Sequence, residues 1–83
     1  MDVQGATLRL LAARAPGATV CPSEVARVLA KAAGADVAGD WRHFMPAVHA
    51  AVDGLVEAGA VRLSRKGRPM AVRAGPYRIG RVD

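Results

Sequence analysis

From Val48 to Leu63 the chain reads VHAAVDGLVEAGAVRL. Val48, Val52 and Leu55 recur at the spacing of one helical face, and Gly59 stops the pattern. Val61 and Leu63 then alternate with Arg62 as a half-buried strand does. A helix that turns through a glycine directly into a strand therefore sits at the centre of the fold. Upstream, Phe44 and Met45 continue the apolar spacing, but Pro46 interrupts it by removing a backbone donor. The expectation is a short turn over Trp41 to Phe44, with Asp40 as a cap, and a main helix from Met45 or Pro46 onward. The inward stripe leaves Ala47, His49, Ala50, Asp53 and Gly54 facing out.

Further toward the N-terminus, residues 6–15 carry Leu8, Leu11 and Ala12 on one helical face before Pro16-Gly17 ends the pattern. Ala18-Thr19-Val20 reads as a short extended link. Cys21-Pro22-Ser23-Glu24 places proline where a first helical residue belongs and a glutamate where it can reach back to the helix start, with Cys21 as N-cap. That second helix is expected to run through Val25, Val28 and Leu29 to about Ala33, followed by a loop from Gly34 to Gly39. Toward the C-terminus, Tyr77 and Ile79 alternate with Arg78 and Gly80, giving a strand antiparallel to Val61–Leu63. Lys66-Gly67-Arg68-Pro69 and Gly75-Pro76 make the connection between the two strands a long, turn-rich loop. The order implies an α+β winged helix-turn-helix: three helices plus a small antiparallel β-hairpin wing, in one domain over residues 1–83.

Four segments also carry a resemblance: Val20 to Arg27 with Cys-Pro-Ser-Glu-Val-Ala-Arg, Trp41 to Val48 with Trp-Arg-x-x-Met-Pro-x-Val, Lys66 to Pro69, and Gly75 to Arg78. Together they resemble a small bacterial family of winged-helix-like proteins, a domain of unknown function, across nearly the whole chain. Val48 to Val61 is also similar to the third helix and following strand of many winged-helix regulators. The resemblance implies the fold and lends no activity.

At 83 residues the chain buries a smaller share of its surface than a larger domain would. Its 52% hydrophobic fraction is rich in alanine, so the core is thin, with little room for an enclosed substrate pocket. Cys21 is the one cysteine, which excludes an intramolecular disulfide and a Cys-rich zinc site and fits a reducing cytoplasm. An N-terminus without a basic segment ahead of an apolar run, and no long apolar stretch, leave export and membrane insertion unsupported. The bias toward Ala, Arg, Gly and Val suits a GC-rich genome. Net charge is +5, and its placement is uneven. Residues 1–59 carry one more acid than base. Residues 60–82 carry seven cations (Arg62, Arg65, Lys66, Arg68, Arg73, Arg78 and Arg81) and no acid. Such asymmetry points to a polyanionic partner.

The candidate site residues follow from that run. Around the Gly-Pro turn, Arg65, Lys66 and Arg68, with Arg73, Arg62 and Arg78, suit phosphate contact. The alternative reading is a solvated basic face. Helix 3 offers Arg42, His43 and His49 to a groove, but its outward alanines, Gly54 and Asp53 make a weak reading head for base edges. Cys21 at a helix N-terminus is a candidate redox-sensitive thiol, because the helix dipole favours thiolate; the plainer reading is a half-buried cap. His43 and His49 are six positions apart and cannot share one ion from a regular helix, so no metal site is expected. No orienting third group accompanies a Cys21–histidine pair, so neither an enzyme nor a cofactor is expected. Trp41 and Tyr77 are either base-stacking residues or packing residues. The leading expectation is binding of duplex DNA through a basic wing and helix 3, as in a transcriptional regulator. Its rival is a protein-docking module that uses the smooth face of Ala47, Ala50 and Gly54 for a partner helix or a second copy of the chain.

Overall fold

The computed structural model describes residues 2–34 and 38–82; residues 35–37 of the expected Gly34–Gly39 loop lie outside the described residues. The elements are α1 (Val3–Ala12), β1 (Thr19–Val20), α2 (Pro22–Ala32), a 3-10 turn (Ala38–Phe44), α3 (Met45–Glu57), β2 (Val61–Arg65), β3 (Arg68–Met70) and β4 (Arg78–Arg81). The architecture is α+β, with three α-helices packed on a four-stranded antiparallel sheet of order β1-β4-β2-β3.

α1 begins earlier than its expected start at Ala6. Asp2 caps it, with Oδ2 accepting from the Gly5 amide at 2.9 Å. Its phase also differs from the expected stripe. Ala6, Thr7 and Leu11 face the core with Val3 and Leu10 beside them, whereas Leu8 is 40% exposed and Ala12 is exposed. The reason lies in Thr7, whose hydroxyl donates to the Val3 carbonyl at 2.9 Å and so enters the core with its polar atom satisfied. A threonine counted as polar shifts the apparent face by one residue.

α2 starts as its sequence implies. Pro22 occupies the first helical position, and the Cys21 amide donates to Glu24 Oε2 at 2.8 Å. Glu24 Oε1 takes the Arg14 guanidinium at 3.2 Å, which ties the segment after α1 to the start of α2. α2 ends at Ala32, and Gly34 follows with φ +81°. Asp40 sits inside the 3-10 turn, and Phe44 rather than Asp40 is the N-cap of α3. Pro46 is accommodated in the first turn of α3, where no intrahelical donor is required.

Val48, Val52 and Leu55 of α3 are buried at 0%, 0% and 5% exposure, as their spacing implies. They meet Val25 and Leu29 of α2, Val20 of β1, Leu63 of β2 and Ile79 of β4 in one cluster, with Trp41, Phe44 and Met45 packed against its edge.

The sheet departs from the expected simple hairpin. Lys66 and Gly67 have φ of +51° and +79°, the pair of positive values that a two-residue type I′ turn requires. The chain reverses there, and Arg68–Met70 pairs with β2 in the register Leu63↔Met70, Ser64↔Pro69 and Arg65↔Arg68. Pro69 cannot donate to a ladder, but β3 is the edge strand, where that loss is tolerated. The chain then loops back to place β4 between β1 and β2, opposite Val20 through Ile79 and opposite Leu63 through the same residue. Tyr77 is buried just ahead of β4.

Candidate functional site

The charge run of residues 60–82 occupies β2, β3, β4 and their connections. Along β2 the buried Val61 and Leu63 alternate with an exposed Arg62. At the β2–β3 turn Arg65, Lys66 and Arg68 are all exposed, and among the described residues none of the three makes a side-chain hydrogen bond or ion pair. The turn that carries them is two residues long and closed by the Arg65↔Arg68 pair, so among the described residues three unpaired cations stand on one tight hairpin.

Two other arginines of the run are engaged. Arg78 donates through Nε to Thr19 Oγ1 at 2.7 Å and through a terminal nitrogen to the Thr19 carbonyl at 3.0 Å, clamping β4 to β1. Arg73 makes a two-pronged pair with Asp53 of α3, at 3.0 Å on each oxygen. This guanidinium, bonding first and attracting second, holds the Asp53 carboxyl below its ordinary value. The pair straps the connection before β4 onto the outer side of α3, and it neutralises the acid that would repel a phosphate there. Both partners are solvent-facing, so the pair orients the loop more than it stabilises the fold.

On α3, His49 is half-buried rather than outward. Its Nδ1 lies 2.7 Å from the Tyr77 hydroxyl, with ring centroids 5.6 Å apart. Burial first, then the charge of Arg73, lowers the His49 pKa, with Asp53 opposing. Burial pushes the Tyr77 phenol up to about 12. A neutral imidazole and a protonated phenol share one hydrogen between Nδ1 and the hydroxyl, so each ring fixes the other's orientation. His49 therefore brings a hydrogen-bonding ring, not a cation, near neutral pH. Gly54 is not a smooth outward position either. The Gln4 side chain of α1 lies against it, and Gln4 Nε2 donates to the Ala51 carbonyl at 3.4 Å.

Arg42 and His43 are exposed on the 3-10 turn. The Arg42 guanidinium lies 4.6 Å from the centre of the Trp41 ring, and Arg27 of α2 lies 4.9 Å from it. Arg27 carried no sequence signal for this contact, since it is separated from Trp41 by the Gly34–Gly39 segment. Cys21 is half-buried, with Sγ accepting from Ser23 Oγ at 3.2 Å. Two grooves border it. One of about 350 Å³ is walled by Trp41, Met45, Pro76 and Tyr77, with Ser23 and His49 on its lining. The other, of about 320 Å³, is lined by Arg65, Lys66, Arg78, Pro76 and Tyr77.

Among the described residues no group of three or more His, Cys, Asp or Glu side chains is placed to hold a metal ion, and no helix is long and apolar enough to cross a membrane. The chain belongs to the family described as protein of unknown function (DUF3253), which it matches over residues 1–82. A search of curated proteins finds no match.

Proposed function

We propose that this member of the family is a winged-helix protein that binds nucleic acid, with the β2–β3 hairpin as its wing. The observation that carries the reading is the trio of exposed cations Arg65, Lys66 and Arg68 on a tight turn, unpaired among the described residues, with Arg62 exposed beside them. A rigid hairpin tipped with free guanidinium and ammonium groups exchanges counterions for phosphates at little ordering cost.

α3 takes a secondary part. Its outer face offers Ala47 and Ala50, a His49 tied to Tyr77 and an Asp53 tied to Arg73, so it presents few groups that discriminate base edges. Binding is therefore set by the backbone, with weak sequence preference. The test is titration of the protein with duplexes of unrelated sequence over a range of salt. Comparable affinities that fall steeply with salt support the reading. Absence of any affinity at low salt removes it, and the alternative of a docking module on the exposed Ala47 and Ala50 then leads.

A further inference from the structure

The two grooves beside Cys21 share Cys21, Pro76 and Tyr77 on their linings, so they neighbour each other on one surface whose ends differ in chemistry. One end is cationic, with Arg65 and Lys66 unpaired among the described residues and Arg78 held in place by Thr19. The other is aromatic and apolar, walled by Trp41, Met45, Pro76 and Tyr77, and its volume of about 350 Å³ lies within the range of small-ligand sites. We infer that this surface takes an unpaired nucleobase of a single nucleic-acid strand in its aromatic groove while the neighbouring phosphates lie on Arg65 and Lys66.

The inference rests on the proposed phosphate-binding role of the hairpin and specifies its substrate. Stacking surfaces beside a cationic track are what a single strand needs, because each base has an apolar face and each linkage a charge. A duplex keeps its bases in the stack and has only phosphates to give to the hairpin, which leaves the aromatic end unused. The groups on the lining fit a base as well. His49 keeps Nε2 for a partner because Nδ1 is taken by Tyr77, and Ser23 keeps acceptor capacity while its hydroxyl donates to Cys21. Arg27 and Arg42 over the Trp41 ring hold the indole in position and bring two more positive charges to the aromatic end. A bare anion would engage the cations alone and touch none of the aromatic groove.

Trp41 is the one tryptophan of the chain and reports on its own surroundings. A short oligothymidylate and a blunt duplex of equal length, both labelled for anisotropy, are titrated against the full chain while Trp41 emission is followed. The single strand is expected to quench Trp41 and to bind about ten-fold more tightly than the duplex, which leaves the emission unchanged. Ser23→Phe, a change on the lining near the start of α2, fills the aromatic end. It should weaken single-strand binding about ten-fold and leave duplex binding intact, which also shows that the variant is folded. As a measurement independent of any variant, the single strand should slow alkylation of Cys21, and the duplex should not. Equal affinities, unmoved emission and unslowed alkylation would overturn the inference while leaving the phosphate-binding reading standing. Failure of both nucleic acids to bind at low salt would overturn both.

Discussion

Tyr77 does two things that oppose each other only at high pH. Its ring fills the core at the entry to β4, and its hydroxyl reaches His49 on α3. Removing the hydroxyl in Tyr77→Phe leaves the half-buried imidazole nitrogen without its hydrogen-bond partner, at a cost of about 1 kcal/mol by chemical denaturation. The phenol also sets an alkaline limit. Its pKa in the folded protein is about 12 against an ordinary 10.0, so the unfolded chain loses this proton first. Its contribution to stability is thus full below pH 10 and is lost as pH rises toward 12. Because Tyr77 is the one tyrosine, tyrosinate absorbance reads it directly; a midpoint at the ordinary value would show that the ring is not buried in solution. Gly54 gives a change of opposite sign. A Cβ there comes within 2.8 Å of Gln4 Nε2, the mobile end of a long side chain that can swing away. Gly54→Ala should therefore stabilise the protein by roughly 0.5–1 kcal/mol through helix propensity, and a lower melting temperature would mean that the Gln4 side chain holds α1 against α3.

At the scale of elements, the start of α2 depends on Glu24, which accepts from the Cys21 amide and from Arg14. The amide bond, more than the arginine, holds its carboxyl below the ordinary value. Its contribution is therefore present at neutral pH and lost as pH falls through that lowered value. Glu24→Ala should cost about 1 kcal/mol in urea unfolding, with part of the loss recovered by Glu24→Gln, which keeps an acceptor; an unchanged midpoint in the alanine variant would show that the cap is dispensable. This element was legible in the sequence because proline, glutamate and the capping position lie within four consecutive residues. The stripe of α3 was legible for the same local reason. β3 was not, because Pro69 reads as a loop residue and only the edge position makes it tolerable in a strand. Nor was the central place of β4, which depends on β1 and β2 pairing to its two sides from distant parts of the chain. The cations of the hairpin stood out as an uninterrupted run of charge, whereas the partners of Arg73 and Arg78 lie 20 and 59 residues away and no local pattern marks them.

Across the whole molecule, those long-range pairs divide six of the seven basic residues of the run into two groups. Arg73 and Arg78 are committed to Asp53 and Thr19 and hold the connection and β4 in place, while Arg62, Arg65, Lys66 and Arg68 extend from the β2–β3 hairpin into solvent. The excess charge of the chain is thereby concentrated on one hairpin, and the helices behind it are near neutral. On the proposed reading, a positive field of this shape draws a polyanion to the hairpin first. The most direct test of that claim replaces Arg65, Lys66 and Arg68 together by alanine and measures duplex affinity as a function of salt. The three side chains are exposed and lie outside the core cluster, so the melting temperature should hardly move. Affinity should fall by about the same factor for unrelated sequences, and the slope of log affinity against log salt should shrink by about 0.9 for each phosphate that is no longer neutralised. An affinity and a slope identical to those of the unaltered chain would contradict the account, since the hairpin would then hold no phosphate.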